Sequence, residues 1–291
     1  MVFVIFVFDL LNIKNNLDNR PGPIGIFDSG YGGLTILKEI HKQLPQYDYL
    51  YLGDNARAPY GTRSFETVYQ YTLECVNHLF DKGCHLVILA CNTASAKALR
   101  TIQQKDLPNI DPNRRVLGVI RPTTELAGTL TKTKHIGVLG TTGTVVSNSY
   151  PIEIHKFHPD VNVFQEACPK WVPMIENDEL NTEESNHFIK KNIEELLKQS
   201  DKIDTIILGC THYPLIENKL RQFIPQHIQL VSQGDIVAKG LIDYLKRHPE
   251  IESKCTKTGK LEFYTTGTPE NFNSQAGKFF GKEVSAKHLA L

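Results

Sequence analysis

The segments LVILACNTAS (86–95) and TIILGCTHYP (205–214) decide how this 291-residue chain is read. Each is an apolar run ending in a small residue, then a cysteine, then polar residues with a threonine close by. Continuous apolar runs of this length mark strands covered on both faces, as in parallel sheets. The pattern around them agrees. IGIF (24–27) leads into DSGYGG, after which Leu34, Leu37, Ile40 and Leu44 recur at helical spacing. YDYLYL (47–52) reads as a strand ending in a Gly-Asp turn. Ser64 is placed to cap a helix carrying Phe65, Val68, Thr72, Val76 and Leu79, with Gly83 as its stop. HLVILA (85–90) is a strand and TASAKALRTIQQ after it is helical.

VLGVI (116–120) opens a second series, with further strands at HIGVLG (135–140), VNVFQ (161–165) and TIILG (205–209). An amphipathic helix, TEESNHFIKKNIEELLKQ (182–199), lies between the last two. QLVSQ (229–233) and LEFYTT (261–266) complete the strands. Regular β–α alternation predicts an α/β fold with mostly parallel sheets. IGIFDSGYGG also resembles IGVLGTTGTV (136–145) in form, as LVILACNT resembles TIILGCTH, which suggests two α/β halves of similar size.

Apolar residues make up 41% of the chain, enough for full cores. Lys+Arg and Asp+Glu both number 32, so the net charge of zero argues against a large nucleic-acid surface. The six cysteines show no CxxC and no tight pairing, so they read as reduced thiols of a cytoplasmic protein, with no zinc site. MVFVIFVF (1–8) is far too short to span a bilayer, and no Lys or Arg appears before Lys14, unlike a signal peptide. NIKNNLDNRPGP (12–23) after it reads as a linker. Residues 1–23 are therefore expected to be an extension, with a weak membrane anchor or a partner segment as the alternative, and loss of 1–22 is expected to leave activity intact.

Ligand sites in open α/β sheets form at the carboxyl ends of strands. Those ends carry Asp28-Ser29, Gly53-Asp54, Cys91-Asn92-Thr93, Thr141 to Thr144, and Cys210-Thr211-His212. Exposed N–H groups at the helix starts that follow suit a bound carboxylate. A cysteine at a strand end is commonly a small core residue. Two in matched contexts, flanked by hydroxyl and amide side chains, argue for a site. Two thiols facing one pocket can take a proton from one face of a carbon and return one to the other. Asp28 fits an ordinary N-cap as well as a site acid, and His212 fits a thiol partner, a proton relay or a structural residue. Arg57, Arg63 and Arg121 are the candidate carboxylate binders, while Cys75 and Cys84 look structural.

At this point GIFDSGYGGLTIL, YLGDNARAPYG, LVILACNTASA, IGVLGTTGTVVSNSY and LGCTHYPLI together resemble the signature segments of bacterial glutamate racemases, in the same order, from about Ile24 to the end. The resemblance implies two α/β domains related by a pseudo-two-fold axis, with the active site in the cleft between them. It places the first domain at 24–115 plus 230–291 and the second at 116–229. It implies interconversion of L- and D-glutamate without a cofactor or metal, supply of D-glutamate to peptidoglycan in the bacterial cytoplasm, and often a homodimer. By motif position, Cys91 takes the α-proton of D-glutamate and Cys210 that of L-glutamate, assisted by Asp28 and His212. Asp28, Ser29, Pro59, Tyr60, Gly61, Asn92, Thr93, Thr141, Thr144, Thr211 and His212 match substrate-contacting positions. Asp54 and Glu176 match acidic residues near the site, while Arg121 has no family role assigned.

Overall fold

A computed structural model describes residues 20–291. The reading of MVFVIFVF and of most of the linker lies outside these residues. The linker does not extend to residue 23. Gly22 forms a parallel bridge with Cys255, donates to the Lys254 carbonyl at 2.9 Å and accepts from Thr256 N–H at 2.9 Å. His85 Nε2 meets the Arg20 carbonyl at 2.9 Å. A cut after Gly22 would therefore remove contacts that the fold makes.

Two all-parallel sheets form the body. The first contains β1 (Ile24–Asp28), β2 (Tyr49–Gly53), β3 (Leu86–Leu89), β4 (Arg115–Gly118), β9 (Leu261–Thr265) and β10 (Ala286–His288), in the order β10-β9-β2-β1-β3-β4. The second contains β5 (His135–Gly140), β6 (Asn162–Ala167), β7 (Thr205–Gly209) and β8 (Gln229–Val231), in the order β6-β5-β7-β8. Strands β2-β1-β3-β4 and β6-β5-β7-β8 thus repeat one four-strand order, with β3 and β7, the cysteine-bearing strands, in equivalent places.

This topology moves two boundaries. VLGVI does not open the second sheet: its first residues lie in β4, which pairs with β3 in the register Val87↔Val116. Ile120 already begins a helix. At the other end, Leu230 and Val231 belong to the second sheet, because β8 pairs with β7.

The helices follow from their apolar spacing. Helix α1 (Leu34–Gln43) buries Leu34, Ile36, Leu37 and Ile40. Each such aliphatic side chain contributes about 2 kcal/mol on leaving water. His41 and Lys42 in its last turn complement the helix dipole. Helix α2 (Phe65–Asp81) is capped by Ser64, whose Oγ accepts from Thr67 N–H at 3.1 Å. It stops at Gly83, where φ is +89°. Helix α3 (Asn92–Lys97) follows β3, and α4 (Ile120–Leu130) follows β4. In the second half, α5 (Thr142–Val146) and α6 (Ser149–Phe157) follow β5, and α7 (Glu183–Lys198) precedes β7. The chain returns through α8 (Gly234–Arg247), which packs on α1, and α9 (Pro269–Phe280) packs on α1 as well. One apolar cluster runs through both halves, from Ile24 and Tyr51 to Leu208, Trp171 and Leu241.

Candidate active site

Asp28 ends β1 and is buried. Its Oδ2 accepts from Gly30 N–H at 2.9 Å, while Oδ1 has no partner among the described residues. Burial pushes its carboxyl above the usual range, opposed by the nearby His212 and by the Gly30 and Gly33 N–H groups. The turn after it must be glycine-rich. A Cβ on Gly33 would lie 2.6 Å from the Asp28 Cβ, and one on Gly32 would lie 2.4 Å from His212 Nδ1. The DSGYGG turn therefore fits between the two cysteine-bearing tips.

Cys91 caps α3. Its Sγ accepts from Ala94 N–H at 3.5 Å and its thiol donates to Ser29 Oγ at 3.5 Å. It is 6% exposed. Burial pushes this thiol up to about 12, and the Asp28 carboxylate adds to the shift, against the Ser29 and Ala94 contacts. Cys210 lies near enough to disfavour a second negative charge on Cys91.

Cys210 follows β7 and is also 6% exposed. His212 Nδ1 lies 3.9 Å from its sulfur, and His212 Nε2 lies 2.7 Å from Glu176 Oε1. Burial alone would lower the imidazole, but hydrogen bonds to Cys210 and Glu176 outweigh it and raise the group to about 10. Phe279 of α9 packs edge-on against the ring at 5.2 Å. Thr35 Oγ1 donates to the Thr211 carbonyl at 2.9 Å, tying α1 to this tip.

Between the tips lie the hydroxyls. Thr93 Oγ1 and Thr141 Oγ1 are 2.9 Å apart, across the two halves. Thr141 caps α5 through Thr144 N–H at 3.2 Å, and Thr144 is fully buried. The Gly61 carbonyl accepts from Gly143 N–H at 2.7 Å, so the Pro59-Tyr60-Gly61 loop meets the second half directly. Asn92 is nearly buried: Nδ2 donates to Gln233 Oε1 and Oδ1 accepts from the Tyr150 hydroxyl, each at 2.8 Å.

Asp54 is already occupied. It accepts from Arg57 Nε and Thr266 Oγ1, each at 2.7 Å, and from the Tyr60 hydroxyl. Arg57 is also spent, on Asp54, Glu74, the Cys75 sulfur at 3.4 Å and the Tyr71 ring. Arg63 donates to the Arg57 carbonyl, and Arg121 pairs with Glu125 on the surface. The three arginines therefore support loops and a surface helix, with no hydrogen bond to Cys91 or Cys210 among the described residues. Cys75, Cys84, Cys168 and Cys255 are buried among core residues, their thiols raised by burial first.

Sequence reasoning passed over Tyr150 and Gln233. Gln233 was within reach of it: the residue lies just past β8, a strand end followed by a helix start, like the Cys91 and Thr141 segments. Among the described residues, no group of three or more His, Cys, Asp or Glu is placed to hold a metal, and no helix is long and apolar enough to cross a membrane.

Two parallel sheets that repeat one strand order, each with a cysteine just past an equivalent strand, define the α/β class of this protein. The chain belongs to the Asp/Glu/Hydantoin racemase family, whose pattern it matches over residues 24–240. It is 37% identical to the glutamate racemase of Streptococcus gordonii, covering 94% of this chain and 100% of that one. The glutamate racemase isoform RacE1 of Bacillus anthracis superposes with a TM-score of 0.83 at 34% identity, over 93% of this chain and 98% of that one. The Francisella tularensis glutamate racemase, solved in complex with D-glutamate, gives 0.80 at 33% identity, over 94% and 98%.

Proposed function

We propose that this protein interconverts L- and D-glutamate through two thiols and supplies D-glutamate for peptidoglycan in the bacterial cytoplasm. The observation that carries the reading is the placement of Cys91 and Cys210 at equivalent strand tips, close enough for one charge to oppose the other. One cysteine starts as thiolate and removes the α-proton, and the other, as thiol, donates a proton to the opposite face. One S–H bond forms and one breaks, so the substrate changes only in hand and the two sulfurs exchange roles.

With Cys91 pushed up to about 12, the resting protein keeps its proton there, as the donor's role requires. A protonated His212, held by Glu176, is the cationic partner a thiolate at Cys210 needs. Asp28 stands beside Cys91 as its acidic partner. Ser29, Thr93, Thr141, Thr144, Thr211 and the helix starts behind them supply donors for the substrate carboxylates. Both sulfurs are nearly closed to water, so those donors act at low dielectric on the charge that builds at the α-carbon. Asp54 serves as the anchor of the Pro59–Gly61 loop, not as an acid. The two sheets are the cores of two domains, with strands of 24–118 and 261–288 in one and of 135–231 in the other.

Proton NMR with L-glutamate in D2O, alongside a chiral assay, tests the reading. Loss of the α-proton signal with appearance of D-glutamate is the expected result. Exchange with a different amino acid would keep the chemistry and change the substrate. Binding of glutamate with no exchange in a folded, reduced sample would replace catalysis with a binding role.

A further inference from the structure

We propose that Tyr150 and Gln233 are positioning residues that set the two thiols against each other through Asn92. The inference rests on the two-thiol reading above.

Three side chains form a closed ring of hydrogen bonds. Asn92 Nδ2 donates to Gln233 Oε1 at 2.8 Å, Gln233 Nε2 donates to the Tyr150 hydroxyl at 2.8 Å, and that hydroxyl donates to Asn92 Oδ1 at 2.8 Å. Each member gives one hydrogen and takes one, and the Val119 carbonyl, which can only accept, fixes the direction by holding Gln233 Nε2 on its side. Gln233 Nε2 also reaches the Val119 carbonyl at 3.1 Å and Thr123 Oγ1 at 3.4 Å. Asn92, Gln233, Tyr150 and Thr123 are all buried. Polar groups this deep are costly unless satisfied, and a satisfied ring is rigid.

The ring's place matters more than its stability. Asn92 directly follows Cys91 and opens α3. Tyr150 belongs to α6 of the other half, and a Cβ on Gly209, the residue before Cys210, would lie 3.2 Å from Tyr150 Cε2. One tyrosine therefore packs on the chain before one thiol and bonds the residue after the other. Gln233 stands where the chain returns to the first half, and locks both partners to the Val119 carbonyl just past β4. With Oδ1 held by the phenol, the Asn92 amide is turned to present its remaining N–H, a donor suited to a carboxylate oxygen. The ring thus fixes the span between the thiols and the polarity of a substrate contact at once.

Tyr150→Phe keeps the packing and removes the hydroxyl, and Gln233→Leu keeps the bulk and breaks the ring from the other side. In D2O the diagnostic quantity is α-proton exchange with retention, relative to racemisation. When the opposite thiol is misaligned, the carbanion takes a solvent deuteron back on the face it left. We expect each variant to lose about tenfold or more in kcat, because small displacements of reacting groups are costly. The exchange-to-racemisation ratio should rise, with a smaller change in KM. The double variant should be no worse than the poorer single, because either change opens the same ring. A proportional fall of exchange and racemisation in folded variants would overturn the proposal, and so would losses that multiply in the double variant. If Tyr150→Phe does not fold, Gln233→Leu and Gln233→Glu carry the same reading of the ratio. Cys91→Ser and Cys210→Ser are run beside them. Racemisation at the normal rate in either serine variant would defeat the two-thiol reading itself. Inactive serine variants with an unchanged ratio in the ring variants would defeat only the present inference.

Discussion

Cys91 and Cys210 end equivalent strands of two sheets with the same order, yet their surroundings differ in electrical character. Cys91 faces a buried carboxyl, a serine hydroxyl and a backbone N–H. Cys210 faces an imidazole that a glutamate holds in its charged form. The duplication accounts for where the sulfurs stand. What differs is the company each keeps: burial, Asp28, Ser29 and the Ala94 N–H act on Cys91, while His212, held by Glu176, stands at Cys210.

The largest effect should come from removing either thiol. Cys91→Ala and Cys210→Ala are each expected to lower racemisation by about 10³-fold or more in a chiral assay, the scale of losing an essential acid or base. Near-normal turnover in either would mean that the two sites are not partners.

Changing their neighbours should cost less and separate them. His212→Asn and Asp28→Asn are expected to lower kcat/KM by about ten- to a hundredfold. L- and D-glutamate are equally stable, so kcat/KM must fall equally in both directions, and the contrast appears in the isotope effect instead. With His212→Asn, proton transfer at Cys210 becomes more limiting. The isotope effect with α-deuterated L-glutamate should rise and that with the D-isomer should fall. Asp28→Asn should do the reverse. The same change with both enantiomers would mean that the neighbours do not belong to separate thiols.

A smaller effect concerns stability. His212 is raised to about 10 in the fold from an ordinary 6.5. Its contribution is therefore complete below about pH 6.5 and is lost as pH rises towards 10. The melting temperature should fall across this window more steeply in the native protein than in His212→Asn. Parallel curves would show that the imidazole gains no proton affinity on folding. The smallest effect is expected from Arg121→Ala. Its side chain is 65% exposed, pairs with Glu125 one turn away and lies over the Phe157 ring at 5.4 Å, so activity should change by less than about twofold.

Much of this was legible because strand tips carry local signals. LVIL and TIILG announce buried parallel strands by composition alone, and the cysteines stand where their ends must be. Which sheet a strand joins is a tertiary matter, and VLGVI was misplaced for that reason: nothing in its composition prefers β3 as a neighbour over β7. AKH at 286–288 carries no apolar alternation and passed unseen as the edge strand β10. The helical run after Cys91 is broken, with a wider π-type turn at 102–106, although its residues read as one continuous helix. Arginines near a motif look like carboxylate binders until their partners are visible, as with Arg57. Tyr150 gave no local sign, because its role depends on two residues far away in the chain. Gln233 followed the strand-tip rule but carried no reactive group to draw notice.

The carbonyl of Val119 and the amide of Gln233 meet at 3.1 Å. Val119 lies where the chain leaves the first sheet after β4, and Gln233 where it comes back after β8. Both crossings are therefore side by side. A hydrogen bond between the two covalent crossings makes one joint of them, so the spacing of the halves elsewhere rests on noncovalent contacts such as Thr93 with Thr141 and Gly143 with Gly61.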